Sequence, residues 1–175
     1  MDSRHNRRHW VGRIRPALLG FLLLGVLALT PFRPLRISGR SMEPTLRNGE
    51  TYLLDQLYWK LGDLRRDDIV VVKHRDEKWV KRLVGMPGDN LQISTRPDGW
   101  ITHVTNLTTN PALREEGDQV EQRTVAPDEI FVIGDNLNRS VDSTTQEAGA
   151  FKLRDIIGVV RTFTLGRSFP FRQHL

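Results

Sequence analysis

The chain of 175 residues contains no cysteine. That excludes disulfides, thiolate metal sites and a cysteine nucleophile, and it leaves the redox compartment open. No G-x-S-x-G occurs, so nothing supports the nucleophile elbow of an α/β-hydrolase. No H-E-x-x-H and no cluster of histidines and acids at metal-ligand spacing occurs either, so no metal and no cofactor is expected. Repeats and low-complexity tracts are absent. Excess charge is scarce outside one end. The formal net charge is +5, and residues 1–15 set Arg4, Arg7, Arg8, Arg13 and Arg15 against Asp2 alone, leaving only +1 for the remaining 160 residues. A nucleic-acid-binding domain usually carries its excess on the folded face that meets phosphate. No nucleic-acid partner is therefore expected. The length suffices for one domain with a real core.

What is present begins with "PALLGFLLLGVLALTPF", residues 16–32, of which 17–30 carry no charge. Arginines on the N-terminal side of such a run keep that end in the cytoplasm and send the other across. The run is short against the roughly 20 residues of a spanning helix. A cleaved secretory signal and a buried core helix compete with an anchor. The following "PFRPLR" is bulky or charged and offers no Ala-x-Ala site. Polar residues at helical spacing, which a core helix would show, are missing. Arg13, Arg15 and Arg33 can snorkel to lengthen the span. The expected organisation is a basic cytoplasmic segment at 1–15, a transmembrane anchor at 16–32 and an extracytoplasmic domain at 36–175. The protein would then sit single-pass in the cell membrane, with lipid as a partner.

Beyond residue 36, short β-like runs alternate with turns. "TYLLDQLYW" (51–59), "DDIVVVKH" (67–74), "KWVKRLVG" (78–85), "NLQIST" (90–95), "GWITHV" (99–104), "EIFVIG" (129–134) and "IIGVVRTFTL" (156–165) are rich in β-branched, leucine and aromatic residues. "MPGD", "RPDG" and "APDE" punctuate them. Many short strands without long helices indicate an all-β, antiparallel fold. The polar interval 105–127 reads as an excursion or long loop at the edge of the core. "LYWKLG" (57–62) groups Leu57, Tyr58, Trp59 and Leu61. If exposed, it would suit a lipid headgroup region, although burial in a strand is the commoner fate of such a run.

Serine in "SGRSMEPTL" (38–46) is either part of a turn or a nucleophile in need of a base. Of the histidines, His5 and His9 lie in the basic arm and His174 is penultimate, while His74 and His103 sit in or beside strand-like runs. Lysine is the remaining base. Its ordinary pKa of about 10.4 leaves almost no free amine at neutral pH, and burial among apolar side chains lowers that value. Lys81 in "WVKRLVG" has Val80, Leu83 and Val84 around it, and Trp79 and Arg82 are expected on the opposite strand face. On composition alone, an exposed edge-strand lysine is the commoner case.

"SGRSMEPTL", "RRDDIVVVK", "VKRLVGMPGD" and "VIGDNLNRSVDS", in this order, resemble the successive motifs of type I signal peptidases. These are membrane-bound Ser–Lys endopeptidases that remove signal peptides from exported preproteins. The resemblance spans about residues 36–165. It implies Ser41 as nucleophile, with its backbone N–H facing the oxyanion, and Lys81 as general base, acting through an acyl-enzyme. It implies that Ser140 orients the lysine, that Asp142 holds the loop, and that Gly134, Asp135 and Asn136 shape it. Ile37, Met42, Leu46, Trp79 and Val80 match positions lining pockets for small side chains of an extended substrate, bound as an added strand. For Leu46 and Val80 a place in the core is equally open.

Two departures stand out. Gly39 occupies a position where some members carry an oxyanion-stabilising serine, and Ser38 is one residue off register, so the second oxyanion donor stays open. The last motif ordinarily continues S-x-D-S-R, and Thr144 stands at the arginine, leaving Asp142 to find another partner. Two rival readings remain: a maturation peptidase dedicated to a pilin or conjugation substrate, and a catalytically silent, membrane-tethered β module that binds peptides.

Overall fold

The computed structural model describes residues 31–62, 64–113 and 115–161, together with Gly20 and Gly25. The basic segment 1–15, nearly all of the anchor expected at 16–32, and the chain beyond Arg161 lie outside the described residues, as do His5, His9 and His174. Contacts divide the chain at Pro31 and Phe32. Among the described residues, no helix is long and apolar enough to cross a membrane.

The described chain is all-β. Ten strands are β1 (Phe32–Arg36), β2 (Thr51–Asp55), β3 (Ile69–His74), β4 (Glu77–Gly85), β5 (Asn90–Thr95), β6 (Ile101–Asn106), β7 (Gln119–Thr124), β8 (Glu129–Ile133), β9 (Phe151–Lys152) and β10 (Ile156–Arg161). Short 3-10 turns at Tyr58–Leu61, Leu137–Arg139 and Leu153–Asp155 complete the elements. Seven strands form one sheet in the order β1-β2-β10-β3-β4-β8-β9, and three form another in the order β6-β5-β7. Among the described residues every strand pair is antiparallel, as the short runs and tight turns imply.

Each of the seven expected runs contains a strand, with ends moved by a few residues. The run at 51–59 stops at Asp55, whose carboxylate accepts the N–H groups of Leu57 and Tyr58, both at 3.0 Å, and turns the chain into a 3-10 turn. Three strands carry no clear sequence signal. β1 holds Pro34, tolerable because this is an edge strand of its sheet. β9 has two residues. β7 lies within the excursion expected at 105–127: the interval contains a paired strand, polar because an edge strand facing solvent buries little.

The interior divides into three apolar clusters. Val70, Val72, Leu83, Ile130, Val132 and Phe151 lie in one, with Trp79 packed against it. Ile37, Met42, Leu46, Leu54 and Val71 lie in a second, with Val80 against it. Leu91, Ile93, Phe131 and Ile133 join the two sheets in a third, with Val84, Val104 and Leu137 alongside. β3 is buried on both faces at Ile69, Val70, Val71 and Val72, each worth about 1.5–3 kcal/mol. β4 therefore sits on a rigid support.

The expected orientation of Trp79 is corrected by the pleat. Side chains two apart share a face, and the register sets Trp79 opposite Val72 and Lys81 opposite Val70. Trp79 is on the Lys81 face, and the Lys81 ammonium nitrogen lies 5.6 Å from its ring centroid. Val80 and Arg82 occupy the other face. His74 stacks on Trp79 at 4.2 Å, with Phe151 edge-on to both.

Candidate active site

Lys81 is 4% exposed although it carries a formal charge. Its strand places it between Trp79 and Leu83, opposite the fully buried Val70. Burial disfavours the ammonium and holds the pKa below that of an ordinary lysine, with Asp142 pulling the other way. The Lys81 Nζ donates to Ser140 Oγ at 2.6 Å. The two residues are 59 apart in sequence, and they meet because β8 pairs with β4 and delivers the loop after Ile133 to this face.

That loop also holds the segment carrying Ser41. The Asn136 N–H donates to the Ser41 carbonyl at 2.9 Å, and its side-chain amide reaches the Arg40 carbonyl at 3.4 Å. Ser41 is half-buried and opens a tight turn in which the Leu46 N–H reaches the Met42 carbonyl at 2.9 Å. Met42 and Leu46, 2% and 0% exposed, pin the turn into the second cluster. Gly134 passes between the two serines. A Cβ there would stand 2.3 Å from Ser140 Oγ and 2.6 Å from the Ser41 carbonyl oxygen. Only a residue without a side chain fits, and this closeness brings Ser41, Ser140 and Lys81 into one locality.

Asp142 is fully buried. Its Oδ2 accepts the Gly134 N–H at 2.8 Å. Its Oδ1 accepts both the N–H and the hydroxyl of Thr144, at 3.1 and 2.7 Å. Thr144 is thus the partner that the missing arginine left open. Ser143 fixes the same stretch to β8 by exchanging bonds with the main chain of Val132, at 3.0 and 3.1 Å. Asp135 forms a two-point ion pair with Arg82, both contacts at 2.6 Å, binding the loop to the back of β4. Arg82 also donates to the Asp67 carbonyl at 2.7 Å.

Sequence reasoning treated Asn136 as a turn-former and overlooked Arg82. Its only cue was the alternation that sends Arg82 away from Lys81. Gly39 adopts φ +99° and donates its N–H to Asn48 Oδ1 at 3.0 Å. Open space surrounds it, so it is the left-handed backbone that disfavours a serine there. Ser38 is exposed.

The five expected pocket residues do not form one group. Ile37, Met42, Leu46 and Val80 share a cluster, whereas Trp79 flanks Lys81 on the opposite face of β4. The expected burial of 57–62 holds for Tyr58, which packs on the core, but Leu57 and Leu61 are 43% and 68% exposed. His74 packs against Trp79, and His103 lies 3.7 Å from Glu115 on the second sheet. Among the described residues, no three histidines or acids cluster as a metal site.

Residues 7–165 match the family described as signal peptidase, peptidase S26. A signal peptidase I P of Bacillus subtilis subsp. natto is 31% identical over 156 residues, covering 83% of this chain and 84% of its own. A signal peptidase I of Bacillus caldolyticus is 33% identical over 179 residues, covering 93% of both chains. The crystal structure of a signal peptidase I from Enterococcus faecalis V583 aligns with a TM-score of 0.39 and 26% identity, over 56% of this chain and 97% of that one. On the extent of the family match and the identity to these relatives, the chain belongs to the signal peptidase family, peptidase S26, and is a serine endopeptidase.

Proposed function

We propose that the protein is a membrane-anchored endopeptidase that removes N-terminal signal peptides from exported preproteins, with Ser41 as nucleophile and Lys81 as general base. The observation that carries this reading is the buried Lys81 amine, bonded to Ser140 on the loop that also tethers the Ser41 backbone. In its neutral form Lys81 takes the Ser41 Oγ proton as the oxygen attacks the scissile carbonyl. The ammonium then protonates the leaving amine. The freed amine next activates the water that hydrolyses the acyl-enzyme. The Ser41 N–H faces the oxyanion. Ser140 aims the amine, Asp142 and Gly134 hold Ser140, and Asp135 and Asn136 fix the loop to β4 and to the Ser41 turn.

The free edge of β4 suits an extended substrate. Leu83 sends both main-chain groups to the β3 side, bonding Asp68 O at 2.9 Å and Asp67 N at 2.8 Å. Alternation along the strand turns those of Lys78 and Val80 to the other edge, where β8 begins pairing only at Arg82. A peptide added there would run past Lys81. Val80 packs with Ile37, Met42 and Leu46 on one face of β4 and Trp79 lies on the other, and in this reading they wall pockets for small residues. The apolar run 16–32, with its arginines, supports a single-pass anchor with the N-terminus in the cytoplasm and residues 36–175 outside. Exposed Leu57 and Leu61 suit contact with lipid.

The test is cleavage of a model preprotein by wild type, Ser41→Ala and Lys81→Met in detergent, from about pH 6 to about pH 10. The proposal requires both variants to be inactive and wild-type activity to rise with pH as Lys81 loses its proton. Cleavage by Lys81→Met discards the dyad. A wild type that leaves general preproteins uncut points instead to a dedicated substrate or to a binding module.

A further inference from the structure

Among the described residues, every hydrogen bond that reaches the buried Asp142 carboxylate comes from a neutral donor: the Gly134 N–H, the Thr144 N–H and the Thr144 hydroxyl. A buried carboxylate without a cation among its hydrogen-bond partners keeps a strong field in a low-dielectric surround. Thr144 contributes two of the three donors, both to Oδ1. The third, on Oδ2, belongs to Gly134, the residue in closest approach to Ser140 and to the Ser41 carbonyl. The position of Asp142 is thus coupled to that of the serine bonded to Lys81.

Arg82 pairs with Asp135, Glu77 accepts the Trp79 indole N–H at 2.7 Å, and Arg40 and Arg139 are exposed. His74 stacks on the Trp79 ring, and Glu43 is half-buried in the Ser41 turn. Asp142 favours the protonated amine of Lys81, against the effect of burial.

We propose that Thr144 is a positioning residue for the cleavage reaction: clamping Asp142 with two neutral donors, it fixes Gly134 beside Ser140 and leaves the carboxylate charge to act on Lys81. This rests on the Ser41–Lys81 reading. The Thr144 hydroxyl keeps the carboxylate in register, and its neutrality keeps the field on the amine. A cation at this position would lower that field and free the amine at lower pH.

The experiment measures kcat, KM and the pH profile of kcat/KM for Thr144→Val, Thr144→Ser and Thr144→Arg, with melting curves for each. Thr144→Val, of nearly the same shape, should lower kcat about tenfold with KM within about twofold, as for a lost bond to a charged group. Thr144→Ser should restore kcat to within about threefold of wild type. Thr144→Arg should move the acidic limb down by about half a pH unit or more. An unchanged kcat in Thr144→Val, with or without a lower melting temperature, overturns the proposal, and so does an unmoved limb in Thr144→Arg. Ser41→Ala and Lys81→Met run alongside. Activity in either refutes the dyad itself, whereas inactivity of both beside unaffected Thr144 variants refutes only the role of Thr144.

Discussion

Replacing Gly134 by alanine adds one methyl group where the site is tightest. The new Cβ would lie 2.3 Å from Ser140 Oγ, 2.6 Å from Ser140 Cβ and 2.6 Å from the Ser41 carbonyl oxygen. Contacts need about 3.4 Å or more, so the neighbours must retreat by about 1 Å together. They have little room. The Ser41 carbonyl is held by Asn136, Ser140 by Lys81, and Gly134 itself by Asp142. An overpacked site of this kind costs about 1–3 kcal/mol of stability. A displacement of about 1 Å between reacting groups costs about a hundredfold in rate. Activity should therefore fall far more than stability does. The assay compares kcat/KM on a preprotein or fluorogenic peptide with the urea unfolding midpoint. Gly158→Ala is the control: its Cβ would meet the Asp55 carbonyl oxygen at 2.6 Å and Leu54 at 2.8 Å, a somewhat milder clash against backbone at the β2–β10 pairing. That variant should lose stability and keep the kcat of its folded fraction. A Gly134→Ala enzyme within about threefold of wild type would refute the claim that this close approach sets the Ser41–Lys81 geometry.

Lys81→Met should stabilise the fold at neutral pH, because it removes a buried amine whose pKa is depressed by desolvation. With Lys81 the unfolded chain binds more protons between the folded and unfolded pKa values, so wild-type stability rises with pH through that window. The advantage of the variant should shrink as pH climbs toward the ordinary lysine value of about 10.4, and a gap that does not change with pH would sink the argument. Asp89 is 2% exposed, paired with Arg66 and bonded to the Met86 N–H and the Asn106 amide. Burial alone would raise its pKa, but these partners outweigh it and hold the value low. Asp89→Asn should cost about 3 kcal/mol near pH 7, where Asp89 is ionised. The deficit should narrow as pH falls through the depressed folded pKa, and an equal deficit at pH 7 and in strong acid would contradict this.

Strands whose faces meet the core were legible in the sequence, because burial selects their residues. "IVVV" in β3 and "IFVI" in β8 carry almost nothing else. β1 and β7 were not legible, because an edge strand facing water can be built from Pro34, Arg33 or Gln122 as readily as from valine. The same division runs through the site. Ser41 and Lys81 stand in local motifs whose resemblance to the family marks them as the candidate dyad. What holds them in place is spread over long separations: Asn136 reaches Arg40 across 96 residues, and Arg82 reaches Asp135 across 53. Such pairs follow from the β4–β8 register and have no local signature. Trp79 shows the converse. Its face was available from the two-residue period of a strand, and assigning it away from Lys81 contradicted that period.

In the proposed role of Lys81 as general base, the loop 134–144 reconciles two opposed demands on the lysine. A general base must be free of its proton at working pH, which calls for burial and no carboxylate at hand. A buried amine must also be aimed, which calls for polar partners that burial makes expensive. Here the direct partner is the uncharged hydroxyl of Ser140, and the carboxylate of Asp142 stands one step removed, bonded to Gly134 and Thr144. The loop thus orders the site through its backbone while its one buried anion beside Lys81 is kept from pairing with the amine. Moving that carboxylate into direct contact would stabilise the ammonium and silence the base at neutral pH. Removing it would release Gly134 and with it Ser140. The arrangement is a compromise between positioning and basicity, and Thr144 is the residue on which its balance turns.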